Sequence, residues 1–294
     1  MAVTRAGTVS GVHPAERAIE LLRERYVFPE LAEAAATTLG QRLAAGAYGG
    51  LDESTLAGRL TEDLLGVCPD AHLWVRVRDD RRAPARASIR RVEVLDGNIG
   101  YLDVRRVSGS VDGARAIAGS MELVSRTDAL ILDLRGNEGG SPDGVALWCS
   151  YFLPAEPTHL NSIHDRVTGQ TRQFWSLAWL PGERYLDRPL YVLTSDRTFS
   201  GAEELCLNLK VRGRARLVGE TTRGGANLAT VLPLTPTMEI AVPHAYSINP
   251  ITGGNWEGTG IEPDLAVPAA SALDVAHAEL LDRLPGLGNA KEAR

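Results

Sequence analysis

Lysine is nearly missing from this 294-residue chain: of 31 basic residues, only Lys210 and Lys291 are lysines. Any chemistry that needs a lysine amine therefore has two places to find one. Cysteine is scarce as well. Cys68, Cys149 and Cys206 are widely spaced and match no metal-ligand pattern, and Cys149 and Cys206 fall in apolar helical stretches, where buried free thiols are expected. No apolar run approaches the ~20 residues of a membrane span. The opening "MAVTRAGTVSGVHPAERAIELL" lacks the continuous apolar stretch of a secretory signal, so the expectation is a cytoplasmic protein. A net charge of −6 leaves no nucleic-acid footprint. The one basic run, "RVRDDRRAPARASIRR" at 76–91, contains Asp79 and Asp80 and reads as a solvated hairpin face. Neither a spaced Gly-x-Gly-x-x-Gly nor a phosphate loop with its lysine is present, which argues against nucleotide binding. No cofactor and no metal are expected.

What remains is an ordinary globular composition, 44% hydrophobic and 23% charged. Residues 14 to 66 read as three short helices; "PAERAIELLRERYVF" places Ala18, Leu21, Leu22 and Tyr26 on one face. At residue 72 the period changes. "HLWVRVR" alternates, with Leu73, Val75 and Val77 opposite His72, Trp74, Arg76 and Arg78. "RRVEVLDGNIGYLDV" reads as a hairpin around Asp96-Gly97, and "HLNSIHDRVTGQTRQFW" as another over Thr168-Gly169. The buried strands "DALILDL", "PLYVLTS" and "ARLVGE" alternate with helices at about 111–126, in "SPDGVALWCSYFL" and after Ser200, which implies parallel crossovers and an α/β core.

Ser200 opens a helix a few residues after a strand. "SGAE" is Ser-x-x-Glu, a capping box with Glu203. The same position, at the carboxyl edge of the sheet and the positive end of a helix, also suits a nucleophile, and both readings stand at this point. In "RGNEGGSPDG", Gly139 and Gly140 either form a tight strand-to-helix turn or bring bare N–H groups to a ligand. A serine nucleophile needs a base. Lys210 lies ten residues along Ser200's own helix, about 15 Å of rise away, and Lys291 stands in a polar tail. Of His13, His72, His159, His164, His244 and His277, His72 is the best candidate, because it faces away from Leu73 and Val75; His244 is its rival. Orienting carboxylates are available in "GGNWEGTGIEPD" as Glu257, Glu262 and Asp264, with Glu220 in reserve. Six of the 16 aromatics (Tyr151, Phe152, Phe174, Trp175, Trp179 and Tyr185) gather between these elements. They read as a hairpin packed on the core or as an apolar wall of a binding groove, with Phe174, Trp175 and Trp179 as candidate substrate-binding residues.

Together, "DALILDLRGNEGG", "VLTSDRTFSGAEE", "RLVGETTRGGA" and "INPITGGNWEGTGIEPD" resemble the core of the C-terminal processing (tail-specific) serine peptidases. The closer likeness is to the branch of the tricorn core and the interphotoreceptor retinoid-binding protein modules, whose N-terminal portion "YVFPE", "GLDESTLAGRLTEDL" and "PDAHLWV" resemble. The likeness covers residues 14 to 268. It implies an α/β fold with a ClpP/crotonase-like spiral core, expected over 71–294, behind a small N-terminal helical bundle over 1–70. It also implies Ser200 as nucleophile, His72 as general base, Glu257 as the orienting acid, and an oxyanion hole from Gly201 and Gly140, with Gly139 beside it. Two departures stand out. Ala71 replaces the relay serine of the tricorn-like pattern, and the lysine of the Ser/Lys branch is absent. Only about 20 residues separate His72 from the core hairpin, too few for a PDZ domain. The implied partner is a peptide or an apolar acyl substrate, with homo-oligomerisation open and no nucleic acid or membrane expected. Hydrolysis, acyl transfer to an amine or alcohol in a biosynthetic or cyclising reaction, and binding of an apolar ligand by a residual site all remain compatible with these residues.

Overall fold

Eleven strands and seven helices follow one another in the computed structural model, which describes residues 11–79 and 87–284. Three helices come first, α1 (Pro14–Arg25), α2 (Pro29–Ala44) and α3 (Glu53–Leu65), then strands β1 (Trp74–Val77), β2 (Ile89–Leu95) and β3 (Ile99–Val104). Next are α4 (Val111–Val124), β4 (Ala129–Asp133), α5 (Pro142–Phe152), β5 (His159–Asp165), β6 (Thr171–Trp175) and β7 (Leu190–Thr194). The chain closes with α6 (Gly201–Lys210), β8 (Arg216–Gly219), β9 (Asn227–Pro233), β10 (Met238–Ile248), β11 (Leu265–Ala266) and α7 (Ala272–Arg283). The centre of the basic run at 76–91 and the tail with Lys291 lie outside the described residues, as do residues 1–10. Among the described residues, no helix is long and apolar enough to cross a membrane.

The described residues divide into two compact units, 11–79, 164–170 and 227–246 in one, 87–163, 171–226 and 247–284 in the other. In the first, the helical periodicity produces a core. Ala18, Leu21, Leu22 and Tyr26 are buried as their spacing predicts, against Leu39, Leu60 and Leu64 of the neighbouring helices. This helical face packs on Leu73 and Val75 and on Met238, Ile240 and Val242 of β10. β10 pairs antiparallel with β1 on one side (Val75 opposite Ile240) and with β9 on the other. Asp52 caps α3 by accepting the Thr55 N–H at 3.0 Å. The turn over Thr168-Gly169 closes with the Asp165 N–H donating to Gln170 O and the Gly169 N–H to Asp165 O.

The second unit is built on a six-stranded sheet of order β11-β8-β7-β4-β3-β2. β3, β4, β7, β8 and β11 run parallel, as the strand–helix alternation implies, and β2 adds antiparallel through the Asp96-Gly97 hairpin. The period-2 geometry of the strands sorts one apolar sequence onto two faces. Leu130 and Leu132 of β4, with Leu102, Val192 and Leu217, meet Met121, Trp148, Phe152, Leu205 and Leu209 of α4, α5 and α6. Ile131, with Tyr101, Leu193 and Val218, meets Ala272, Ala276 and Leu280 of α7. Burial on both faces is why these strands read as unbroken apolar runs. Cys149 and Cys206 are buried free thiols as expected, and so is Cys68; burial pushes Cys149 and Cys206 far above the ordinary thiol range, which leaves them inert. Eleven residues separate β1 from β2, too few for a separate domain.

Candidate active site

Ser200 joins the end of β7 to the start of α6, and its backbone is unusual. Asp52, Ser110 and Ser141 cap their helices in extended conformations with ψ of 162, 163 and 136°. Ser200 stands instead at φ 55° and ψ −122°, one of two non-glycine residues with positive φ among the described residues. Such a conformation costs on the order of 1–3 kcal/mol and persists only where the surroundings enforce it. They do so here. The approach to the turn is fixed on the segment after β4: Ser195 Oγ donates to Arg135 O at 2.7 Å, Thr198 Oγ1 to Leu134 O at 2.9 Å, and the Phe199 N–H to Asn137 O at 3.0 Å.

Beyond the turn, Glu203 holds it. This fully buried carboxylate accepts the Ser200 N–H at 2.7 Å, Thr222 Oγ1 at 2.6 Å, and the N–H groups of Gly224 at 2.6 Å and Gly225 at 2.9 Å. The Trp256 indole reaches it at 3.2 Å. Burial pushes the Glu203 carboxyl up, against the pull of those donors. The capping-box reading saw only the first of these bonds, because Thr222, Gly224, Gly225 and Trp256 lie 19 to 53 residues away in sequence.

The glycine turn lies against this elbow. Asn137 orients it, donating to Val104 O at 3.0 Å and accepting the Gly139 N–H at 2.9 Å. Val107 brackets it, with its N–H donating to Gly139 O and its carbonyl accepting the Ser141 N–H. A Cβ at Gly139 would stand 2.7 Å from both Phe199 O and Ser200 Cβ, and one at Gly140 would overlap the Val107 carbonyl. Both residues have positive φ, 97 and 151°. No larger residue fits either place. A Cβ at Gly201 would lie 3.2 Å from Gly140 N, so the elbow backbone and the glycine-turn backbone are immediate neighbours.

Glu257 belongs to the same unit. Its Oε2 accepts the Ala226 N–H at 2.6 Å, and its own N–H donates to Asn255 Oδ1 at 3.0 Å. It is tied to the elbow through its neighbour Trp256, whose indole bonds both Glu203 and Gly225 O. Two of the other acids considered from sequence hold the frame, Asp264 accepting the Leu217 N–H and pairing with Lys210 at 3.4 Å and Glu220 accepting the Ala269 N–H, while Glu262 is exposed.

In the first unit, His72 follows a side chain the sequence reading passed over. Asp70 is buried, accepts the His72 N–H on Oδ1 at 2.9 Å, and accepts Asn227 Nδ2 on Oδ2 at 2.8 Å. Burial pushes its carboxyl up, with the Asn227 and His72 hydrogen bonds opposing. Its place two residues before His72 in "PDAHL" was the available signal. The rival His244 lies 3.6 Å from Asp165 and 3.3 Å from Thr230 Oγ1.

The six aromatics divide. Tyr151, Phe152 and Tyr185 are core residues, whereas Phe174 and Trp175 are on β6 and Trp179 beyond it is 78% exposed. Trp175 stacks on His159, ring centroids 4.8 Å apart.

The profile of peptidase family S41 matches residues 98–267, and that of the N-terminal domain of peptidase S41 in eukaryotic IRBP matches residues 11–96. The chain belongs to peptidase family S41. It is 30% identical over 199 residues to a carboxyl-terminal-processing protease of Synechocystis, covering 64% of this chain and 44% of that one. It is 26% identical over 179 residues to the carboxy-terminal processing protease CtpB of Bacillus subtilis, covering 60% and 35%. The chain thus spans less than half the length of these curated relatives. Among solved structures, a lipoprotein from Streptococcus agalactiae superposes with a TM-score of 0.65 at 15% identity, covering 96% of this chain and 99% of that one. The photosystem II D1 C-terminal processing protease gives 0.55 at 15% identity over 87% and 92%. The tricorn protease gives 0.58 at 13% identity over 92% of this chain and 36% of its own. These likenesses establish the fold, an α/β core with a helical N-terminal region.

Proposed function

We propose that this protein is a serine peptidase that works through an acyl-enzyme on Ser200. His72 takes the hydroxyl proton as the serine attacks a peptide carbonyl, and Glu257 orients the imidazole and supports the imidazolium that forms. The N–H groups of Gly201 and Gly140 hold the oxyanion, with Gly139 shaping the turn that presents Gly140. The protonated imidazole then passes its proton to the leaving amine, and water, activated in the same way, releases the acyl group.

The observation that carries this reading is the backbone of Ser200. A serine that only capped α6 would need neither positive φ nor a buried carboxylate holding its N–H, since the serine caps Ser110 and Ser141 do without both. Packing of Gly139 against that same residue, and of Gly140 against Gly201, supports the oxyanion assignment. The shared family and the named activity of its processing-protease members support peptide bonds as the substrate.

The test is a fluorophosphonate probe followed by mapping of the modified residue. Modification at Ser200, lost in Ser200→Ala and slowed at least about 10³-fold in His72→Ala, is the expected result. Modification elsewhere, or an unslowed His72→Ala, overturns the assignment.

A further inference from the structure

Alongside the glycine turn, within the second unit, lies a cavity of about 270 Å³. Ser108 and Gly109 line it, and they directly follow Val107, the residue bracketing Gly139 and Gly140. Asp143 and Gly144 line it from the first turn of α5, three and four residues beyond Gly140. Its walls are otherwise mostly apolar, Ala114 from α4, Ala146 and Leu147 from α5, Phe174 and Trp175 from β6, and Leu177, with Gln173 of β6 as the remaining polar side chain. Arg172 stands at its rim over the Phe174 ring, 4.4 Å from the centroid, and pairs with Asp143 at 2.6 Å.

We propose that this cavity receives one large apolar side chain, aliphatic or aromatic, from the substrate residue whose carbonyl Ser200 attacks. The inference rests on the serine-peptidase reading and extends it to the substrate. Three features argue for this occupant. Val107 stands between the cavity and the oxyanion turn: its carbonyl packs against Gly140, and a Cβ at the lining residue Gly144 would lie 3.1 Å from its side chain, so the side chain nearest the reacting carbonyl is the one able to reach the cavity. Its size is at or below the ~300–1,000 Å³ of pockets that enclose whole small-molecule ligands, which fits a side chain better than a long apolar molecule. Its only charged lining groups, Arg172 and Asp143, are paired with each other, so an entering acidic or basic side chain would give up hydration without an unpaired opposite charge to meet it.

The test uses peptidyl diphenyl phosphonates that differ only in the residue next to phosphorus, with Leu, Phe, Ala, Asp or Lys there. The rate of covalent modification is followed and the modified residue mapped. Leu and Phe probes should react at Ser200 at least tenfold faster than Ala, Asp or Lys probes. Ala114→Phe, which fills the cavity from α4, should erase that advantage while leaving the rate with a small alkyl fluorophosphonate unchanged. Leu147→Ala, which widens it, should bring a Trp probe up toward the Leu rate. A flat series at a reactive Ser200, or a preference that Ala114→Phe leaves intact with the alkyl probe still reacting, overturns the cavity assignment alone. Failure of every probe, the alkyl fluorophosphonate included, to modify Ser200 overturns the serine-peptidase reading, and the cavity assignment falls with it.

Discussion

The Ser200 N–H and the Glu203 carboxylate lie 2.7 Å apart, and that same carboxylate collects Thr222, Gly224, Gly225 and Trp256. A single buried anion thus enforces a strained backbone and binds two distant segments to it. Replacing Glu203 with Ala leaves several buried donors without an acceptor, each costing about 1–3 kcal/mol. Glu203→Ala is expected to lose roughly 3 kcal/mol or more of stability in urea unfolding. Glu203→Gln keeps one acceptor oxygen but turns an amide toward N–H groups. It should stay folded at 25 °C and lose fluorophosphonate reactivity at least tenfold.

Gly140 offers a narrower probe. Its Cβ space is taken by the Val107 carbonyl, and its φ of 151° suits only glycine. Gly140→Ala must move the turn and take its N–H off target. The expected loss in kcat/KM is about 10²–10³, the usual effect of losing one oxyanion donor. The sheet behind the turn is untouched, so the far-ultraviolet circular dichroism spectrum should stay as in the parent.

Asp70 fixes the main chain at His72 and is itself held by Asn227. Asn227→Ala removes the donor on Oδ2 and leaves a buried carboxyl short of one partner. Stability should fall by about 1–3 kcal/mol, and the loss should be smaller in the Asp70→Asn background, which a double-mutant cycle in urea would read.

Glu204, the residue after Glu203, gives a pH signature. It is fully buried, and burial pushes its carboxyl from 4.5 up to about 8, with Asn161 opposing. Between those two values the folded chain keeps a proton that the unfolded chain has released. Its contribution is therefore fully present below pH 4.5 and is lost as pH rises through about 8. Glu204→Gln, neutral throughout, lacks this term. The stability of the parent relative to the variant should fall by on the order of a few kcal/mol between pH 4.5 and 8, measured as the difference in unfolding free energy. A difference that is constant across that range would contradict the assignment.

Much of this was legible in the letters because it is periodic or local. The faces of β4 and α1 follow from side-chain spacing alone, and the Asp96-Gly97 turn announces its hairpin. Ser200 and Glu203 were visible as a tetrad, but not the reason they differ from an ordinary cap. That reason is carried by Thr222, Gly224, Gly225 and Trp256, whose approach depends on the packed sheet and has no local pattern. Asp70 was missed for the opposite cause: it sits in plain view beside His72, but an aspartate in a loop is ordinarily solvated, and only the fold buries it. The aromatic cluster read as one group, yet three of its members fill the core and only Phe174 and Trp175 line the cavity.

The many-handed grip of Glu203 bears on how such a site is inherited. Residues 197–203 transplanted into another scaffold would bring the serine but not its posture, since the anchors for the glutamate would stay behind. A lineage can therefore shed the chemistry without touching the serine at all, by drift at Thr222 or Trp256, and a search that scores only the tetrad would count such chains as intact.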